Sequence, residues 1–274
     1  PMSDTLRITL AQVGFVGWDG EALVVAAREV LSGIAPGSTD LVVLPELCPG
    51  IVEPMADEAR RLGVWIVANG VRRHEDGGFV NRSLVYGPDG TVAGEYVKTY
   101  LHESEIGQHF VPGGAPDIIV VNGHRVGVMI CSDVGLGVES LLALNRLGAE
   151  LVLVPAAAFV DSLAYWRWHL VVKSLDTGLP ICMVNYGGVG PGPNSLGGGR
   201  SMIVAPLPAG HEGQSLDEFL GSGAHRPEEH VLTELDGEAA LATVAIDLDA
   251  YRRMRAELAK HRRRGLDVLA DLPR

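Results

Sequence analysis

Short runs of β-branched and aliphatic residues alternate along this chain with stretches of helical spacing. That alternation constrains the fold more than any other feature of the sequence. LRITLAQV (6–13), DLVVLPE (40–46), VWIVANGV (64–71), ELVLVPAA (150–157), LPICMVNYG (179–187), RSMIVAP (200–206) and ALATVAIDL (240–248) read as strands. EALVVAAREVLSGI (21–34), EPMADEARRLG (53–63), ESLLALNRLGA (139–149), LAYWRWHLVVKSLDTG (163–178) and LDAYRRMRAELAKHRRRG (248–265) read as helices, several closed by glycine. Two hairpins interrupt the alternation. FVNRSLVYGPDGTVAGEYVKTY (79–100) turns at Gly-Pro-Asp-Gly, and DIIVVNGHRVGVMIC (117–131) turns at Asn122 and Gly123. Strands apolar on both faces, alternating with helices, predict an α/β protein, and the hairpins make its sheets mixed. No composition break divides the chain, so residues 2–274 are expected to form one domain. The stretch 206–230 is read as a long loop or excursion.

Three strands end on or near reactive side chains. Glu46 follows LVVLP, Lys98 follows GEYV and Cys131 follows RVGVMI. In α/β sheets, sites form at the carboxyl ends of strands. Singly, each residue has an ordinary reading: Glu46 as a solvated loop carboxylate, Lys98 as the cap of a hairpin, Cys131 as a small apolar filler. Together they describe one chemistry. A thiol needs a base or a cationic neighbour to attack at neutral pH. A carboxylate can take its proton, and an ammonium can stabilise the oxyanion formed when sulfur attacks a carbonyl or nitrile carbon.

Charge and cysteine usage remove other classes. Lys plus Arg is 22 and Asp plus Glu is 34, a formal net charge of −12. Such a chain repels a phosphate backbone, so no nucleic-acid partner is expected, and KHRRRG (260–265) is read as a solvated helix face or helix end. Cys48, Cys131 and Cys182 are too few and too widely spaced for a disulfide framework. They suit a cytoplasmic protein, with Cys48 and Cys182 as filler. PMSDTLRITLAQ lacks a basic stretch followed by an apolar one, so no secretory leader is expected. No apolar run approaches the roughly 18 residues of a membrane helix. The histidines show no metal-ligand spacing, and neither a metal nor an organic cofactor is expected. GGVGPGPN (187–194) and GGGRS (197–201) fit neither the phosphate-loop nor the dinucleotide pattern and are read as turns shaping a pocket rim.

VVLPE, YVKTYL and VGVMICSD resemble, in that order, the Glu, Lys and Cys motifs of the nitrilase superfamily, the carbon–nitrogen hydrolases. LRITLAQV is similar to the family's first strand, NRSLVYGPDGTVAGEYVKTYL to its hairpin into the lysine, and GAELVLVPAA to the segment after the cysteine. SLDTGLPICMVNYGG and GGGRSMIVAP resemble its later strands. The resemblance covers about residues 5–270. It implies a four-layer α-β-β-α sandwich with mixed sheets, and a homodimer or larger homo-oligomer built through helices beside the active site. It also implies hydrolysis of a non-peptide C–N bond in a small-molecule substrate. Residue by residue, it implies Glu46 as general base, Lys98 as oxyanion stabiliser and Cys131 as nucleophile, with the backbone N–H of Ser132 helping to hold the oxyanion. Many members carry a second glutamate between the lysine and the cysteine. Glu105 and Glu103 are candidates, and Glu105 is preferred for its distance from Lys98 and from the PGG turn. Asn185, which ends the late strand, is assigned to the substrate side. Trp166 and His169, with Trp168, read either as pocket lining or as helix packing.

Departures from the family pattern bear on the substrate. Cys131 is followed by Ser-Asp-Val-Gly, where true nitrilases typically carry Trp-Glu, and this disfavours a nitrile. Amidase branches often place an aromatic after the cysteine and an arginine a little later. Here the aromatic is Ser132, and Gly135 and Gly137 leave no arginine to clamp a carboxylate. Those glycines imply a roomier pocket floor, or substrate contacts from elsewhere. The expected activity is hydrolysis of a small aliphatic or aromatic linear amide through a thioester, releasing ammonia. The alternatives are an N-carbamoyl hydrolase, a catalytically silent binding or scaffold member, and a thiol redox sensor that would need a resolving cysteine such as Cys48.

Overall fold

The computed structural model describes residues 4–46, 52–190, 195–208 and 226–269, with positions 210, 211, 213–215, 218 and 221 between them and backbone only for 261–269. Cys48, much of the 206–230 excursion, residues 191–194 of the glycine-rich loop, and the arginine side chains of KHRRRG lie outside the described residues.

Two six-stranded mixed sheets carry the fold. The first contains β1 (Thr5–Gln12), β2 (Leu41–Val43), β3 (Trp65–Arg73), β4 (Phe79–Tyr86), β5 (Val92–Val97) and β12 (Ala240–Asp247), in the order β12-β1-β2-β3-β4-β5. The second contains β6 (Ile118–Val121), β7 (His124–Val128), β8 (Leu151–Pro155), β9 (Ile181–Val184), β10 (Met202–Val204) and β11 (Val231–Glu234), in the order β11-β10-β9-β8-β7-β6. In each sheet three neighbouring strands are parallel and the flanking pairs are antiparallel. The parallel neighbours are joined through helices: α1 (Gly20–Ser32) and α2 (Met55–Leu62) in the first sheet, α5 (Val138–Arg146) and α6 (Leu163–Thr177) in the second. The hairpins stand where the turn residues put them. Asn122 and Gly123 both have positive φ, 49° and 85°, as a two-residue turn between twisted strands requires.

Period-two alternation separates the layers. Ile8, Val43, Val67 and Val85 of the first sheet meet Val126, Val128, Leu153 and Val184 of the second in one core between the sheets. Their neighbours Val42, Ile66 and Leu84 point the other way and pack under Leu23, Ala27 and Leu31 of α1 and Met55 and Ala59 of α2. On the opposite outer face Val152, Val154, Ile181 and Met183 meet Leu141 and Leu144 of α5 and Trp166 and Leu170 of α6. The layers therefore run helix, sheet, sheet, helix. The last helix, α7 (Leu248–Leu269), returns Tyr251 and Met254 to the core between the sheets.

Some local details depart from the sequence reading. DLVVLPE pairs over only three residues, because the chain after Val43 turns toward the second sheet, where Glu46 N–H donates to Ala156 C=O at 3.1 Å. VLTE forms β11 beside β10, an edge strand that sequence patterning does not mark. Two five-residue helices, α3 (Glu103–Gly107) and α4 (Ser132–Leu136), lie in what reads as loop. Among the described residues no helix is long and apolar enough to cross a membrane.

Candidate active site

The ends of β2, β5, β7 and β8 converge at one end of the sandwich. Glu46 follows β2 by three residues, Lys98 follows β5 directly and Cys131 follows β7 by three residues. Backbone hydrogen bonds fix each of them to a neighbouring strand. Lys98 N–H donates to Asn81 C=O at 2.9 Å, and Cys131 N–H donates to Pro155 C=O at 3.0 Å. The first sheet thus contributes Glu46 and Lys98, the second contributes Cys131, and the loop after β8 joins the two.

Lys98 is held between two carboxylates, its Nζ 2.6 Å from Glu46 Oε1 and 2.8 Å from Glu105 Oε2. The three residues are 1–3 % exposed, so they are almost out of water. Buried charge is tolerated only when paired and fully hydrogen-bonded, and here every oxygen has a donor. Asn81 Nδ2 bridges Glu46 Oε1 at 2.8 Å and Glu105 Oε1 at 2.7 Å. The Ala157 N–H donates to Glu46 Oε2 at 2.9 Å, and the His102 N–H to Glu105 Oε2 at 2.8 Å. Asn81 is itself oriented by Asn69 Nδ2, which donates to Asn81 Oδ1 at 2.9 Å and to Ser83 Oγ at 3.0 Å. Burial alone would pull the Lys98 ammonium down, but the charges of Glu46 and Glu105 outweigh it and hold it above its ordinary value. Lys98 is therefore a fixed cation.

Cys131 sits at φ 41°, ψ −102°, a conformation that a non-glycine residue adopts only when its surroundings impose it. Asp133 does much of the imposing. This fully buried carboxylate accepts the N–H of Ile130 at 2.9 Å, those of Thr99 and Tyr100 at 3.0 and 2.7 Å, and the Tyr96 hydroxyl at 2.8 Å. It ties the residue before the cysteine to the residues after the lysine, and so sets the spacing between the two reactive groups. Burial pushes the Asp133 carboxyl up. The Cys131 thiol is also pushed up, by burial first and then by the Glu46 charge, against the opposing pull of Lys98. The Glu46 carboxylate and the Ala157 N–H lie beside the sulfur. The Ser132 N–H opens α4 and finds no acceptor among the described residues. It is a free donor one residue from the sulfur.

A cavity of about 850 Å³ opens onto this cluster. Glu46, Lys98, Glu105, Cys131 and Ser132 line its polar end, and the rest of the wall is chiefly apolar: Phe79, Phe110, Phe159, Tyr165, Trp166 and Leu136. Of the residues singled out from sequence, Trp166 thus faces the pocket, whereas Trp168, Asn185 and His169 do not line it. Asn185 is fully buried and spent on backbone: it accepts the Ala158 N–H at 2.9 Å and donates to the Gly197 and Gly199 carbonyls at 3.1 and 3.0 Å. It locks the strand ends behind the site. His169 donates from Nε2 to Val134 C=O at 3.1 Å, accepts the Tyr165 hydroxyl at Nδ1 at 3.1 Å and stacks on that ring with centroids 4.8 Å apart. It latches α4 and orients a wall residue without lining the cavity. The glycines after Cys131 do not enlarge the floor. A Cβ on Gly135 would meet Trp166 at 3.0 Å, and one on Gly137 would collide with the Tyr100 ring. Aromatic rings already fill that space.

Sequence reasoning passes over Asn69, Asn81, Ser83 and Asp133. A signal was present for the first three, since they are polar residues inside otherwise apolar strand patterns. Cys182, read as filler, is fully buried in the core between the sheets.

A model of the carbon–nitrogen hydrolase family matches residues 7–256. The chain is 31% identical over 222 residues to an (R)-stereoselective amidase from Pseudomonas sp, an alignment spanning 74% of this chain and 78% of the relative. It is 21% identical over 233 residues to the omega-amidase NIT2 of Xenopus tropicalis, spanning 81% and 76%. Among solved structures, an amidase from Nesterenkonia sp. superposes with a TM-score of 0.72 at 22% identity, covering 95% of this chain and 97% of that one. A carbon–nitrogen hydrolase from Helicobacter pylori G27 superposes with a TM-score of 0.77 at 18% identity, covering 97% and 98%. With the family match spanning nearly all of the two sheets, the chain belongs to the carbon–nitrogen hydrolases, the nitrilase superfamily, in its amidase-like branch.

Proposed function

We propose that the protein hydrolyses primary amides of neutral, moderately sized acids through a thioester on Cys131. The observation that carries this reading is the buried Glu46–Lys98–Glu105 cluster beside a thiol held at positive φ, at the polar end of an otherwise apolar cavity. Glu46 takes the thiol proton as sulfur bonds to the amide carbon. The oxyanion that forms is held by the Lys98 ammonium and the Ser132 N–H. Glu46 then returns the proton to nitrogen, the C–N bond breaks and ammonia leaves. Water attacks the thioester carbon with Glu46 again as base, the C–S bond breaks, and the acid departs with the thiol restored. Glu105 keeps Lys98 charged and placed throughout.

Among the described residues Lys98 is the sole lysine or arginine lining the cavity, and it is held by two carboxylates. A substrate carboxylate would find no counter-ion, so half-amides of dicarboxylic acids are expected to be poor substrates. The test is a series in which each acyl group is presented as amide, nitrile and N-carbamoyl compound, with ammonia release as the readout. Neutral apolar amides are expected to lead in kcat/KM. Leading nitriles or carbamoyl compounds would refute the amide assignment and leave the thiol chemistry intact.

We also propose that the protein is a homodimer that pairs through α5 and α6 beside the cavity. Tyr165 and Val172 of α6, Val138 of α5 and Leu136 at the end of α4 are 55, 54, 42 and 68 % exposed there, a run of apolar surface unusual for a free monomer. Light scattering is expected to give twice the chain mass, and Trp168→Glu on the same face to shift it toward one. A fully active monomer would contradict the assignment.

A further inference from the structure

The polar atoms that line the cavity are nearly all engaged within the protein. Ser132 Oγ donates to Tyr100 C=O at 2.6 Å, Ser162 Oγ to Phe159 C=O at 2.7 Å, and the Tyr165 hydroxyl is held by His169. His102 is the exception on the wall. It is the N-cap of α3, and its Nδ1 accepts the Ser104 N–H at 3.2 Å, with the Ser104 hydroxyl 2.9 Å away. A backbone N–H can only donate, so Nδ1 carries no hydrogen and the neutral ring bears its proton on Nε2. That Nε2–H has no acceptor among the described residues. The ring is half-buried, packs against Phe159 at 5.5 Å between centroids and lines the cavity. Its backbone N–H holds Glu105, which places it one residue contact from the charged cluster. Trp18 and Gln108 also bring N–H groups to the cavity, but both are exposed at the mouth, where water competes for them.

We infer that the His102 Nε2–H is a specificity-determining donor that takes a neutral hydrogen-bond acceptor on the substrate's acyl group. The preferred substrates are then amides whose acid combines an apolar or aromatic body with one ketone, ether or amide oxygen. A carboxylate acceptor is disfavoured, because the two buried glutamates against one lysine already leave the cluster net negative. This inference rests on the amide-hydrolase reading above.

The test uses primary amides of phenylalkanoic acids in which each chain methylene beyond the two nearest the amide carbon is replaced in turn by a carbonyl or an ether oxygen. The ratio of kcat/KM for each analogue to that of its parent is measured for the wild type and for His102→Asn. Asparagine keeps the helix cap through its side-chain oxygen but is too short to offer the donor where Nε2 does. The ratio also cancels any uniform change transmitted through Glu105. At one chain position the oxygen is expected to raise wild-type kcat/KM roughly five- to tenfold, mainly through KM, and the ratio should fall to about one in His102→Asn. No preference at any position, or a preference that survives in His102→Asn, overturns the inference while the amide reading stands. Hydrolysis of neither parents nor analogues overturns both.

Discussion

Replacing Cys131 with alanine is expected to reduce amide hydrolysis to background while the protein keeps its fold. The side chain is half-buried at the cavity floor beside Glu46 and the Ala157 N–H, and among the described residues it forms no disulfide. Alanine fits the same positive-φ position at a similar backbone cost, because the strain belongs to the turn held by Asp133. The loss is expected to be at least about 10⁴-fold, since without sulfur no covalent path remains and only weak oxyanion stabilisation is left. Far-UV circular dichroism and the unfolding midpoint should stay close to those of the wild type. Purified Cys131→Ala with more than a trace of turnover would remove the nucleophile from the mechanism.

Lys98→Met is expected to damage both chemistry and stability. Methionine fills the same space but leaves Glu46 and Glu105, bridged by Asn81, without the cation that separates their charges. Removing one partner from a buried ion pair costs about 3–5 kcal/mol, which in a chain of this size lowers Tm by roughly ten degrees. The oxyanion also loses its cationic donor, worth a further 10²–10³-fold in kcat by order of magnitude. Glu46→Gln separates the two effects. It keeps hydrogen bonding to Lys98 and leaves Glu105 as counter-ion, so it should lose roughly 10²–10⁴-fold in kcat as general-base loss dictates, with a smaller change in Tm. If Lys98→Met were as stable as Glu46→Gln, the ion cluster would carry none of the site's stability.

What sequence patterning made legible follows from local physics. A strand buried on both faces announces itself by composition, and a Glu, Lys or Cys at its end breaks that composition visibly. Glu46, Lys98 and Cys131 were therefore readable, and Glu105 nearly so. Asn69, Asn81 and Ser83 broke the same pattern mid-strand and carried a signal that strand-end reasoning does not weigh. Asn185 shows the reverse error: a polar residue at a strand end serves backbone carbonyls as readily as substrate, and only the positions of Ala158, Gly197 and Gly199 decide which. Apart from Trp166, the walls were not legible. Phe79, Phe110, Phe159 and Tyr165 come from distant segments, and their meeting around one cavity is a property of the sheet order. Of the two readings the glycines after Cys131 allowed, the roomier floor fails for the same reason, because the rings of Trp166 and Tyr100 that occupy their space come from elsewhere in the chain.

The central claim, that Cys131 carries the acyl group during amide hydrolysis, is tested most directly by mass spectrometry of protein acid-quenched during turnover of a neutral aromatic amide. The account predicts that the acyl group replaces one hydrogen on the peptide containing Cys131. The adduct should vanish when substrate is exhausted and be absent from Cys131→Ala. Sustained ammonia release with the acyl group on another residue, or with the Cys131 peptide unmodified throughout, would contradict it.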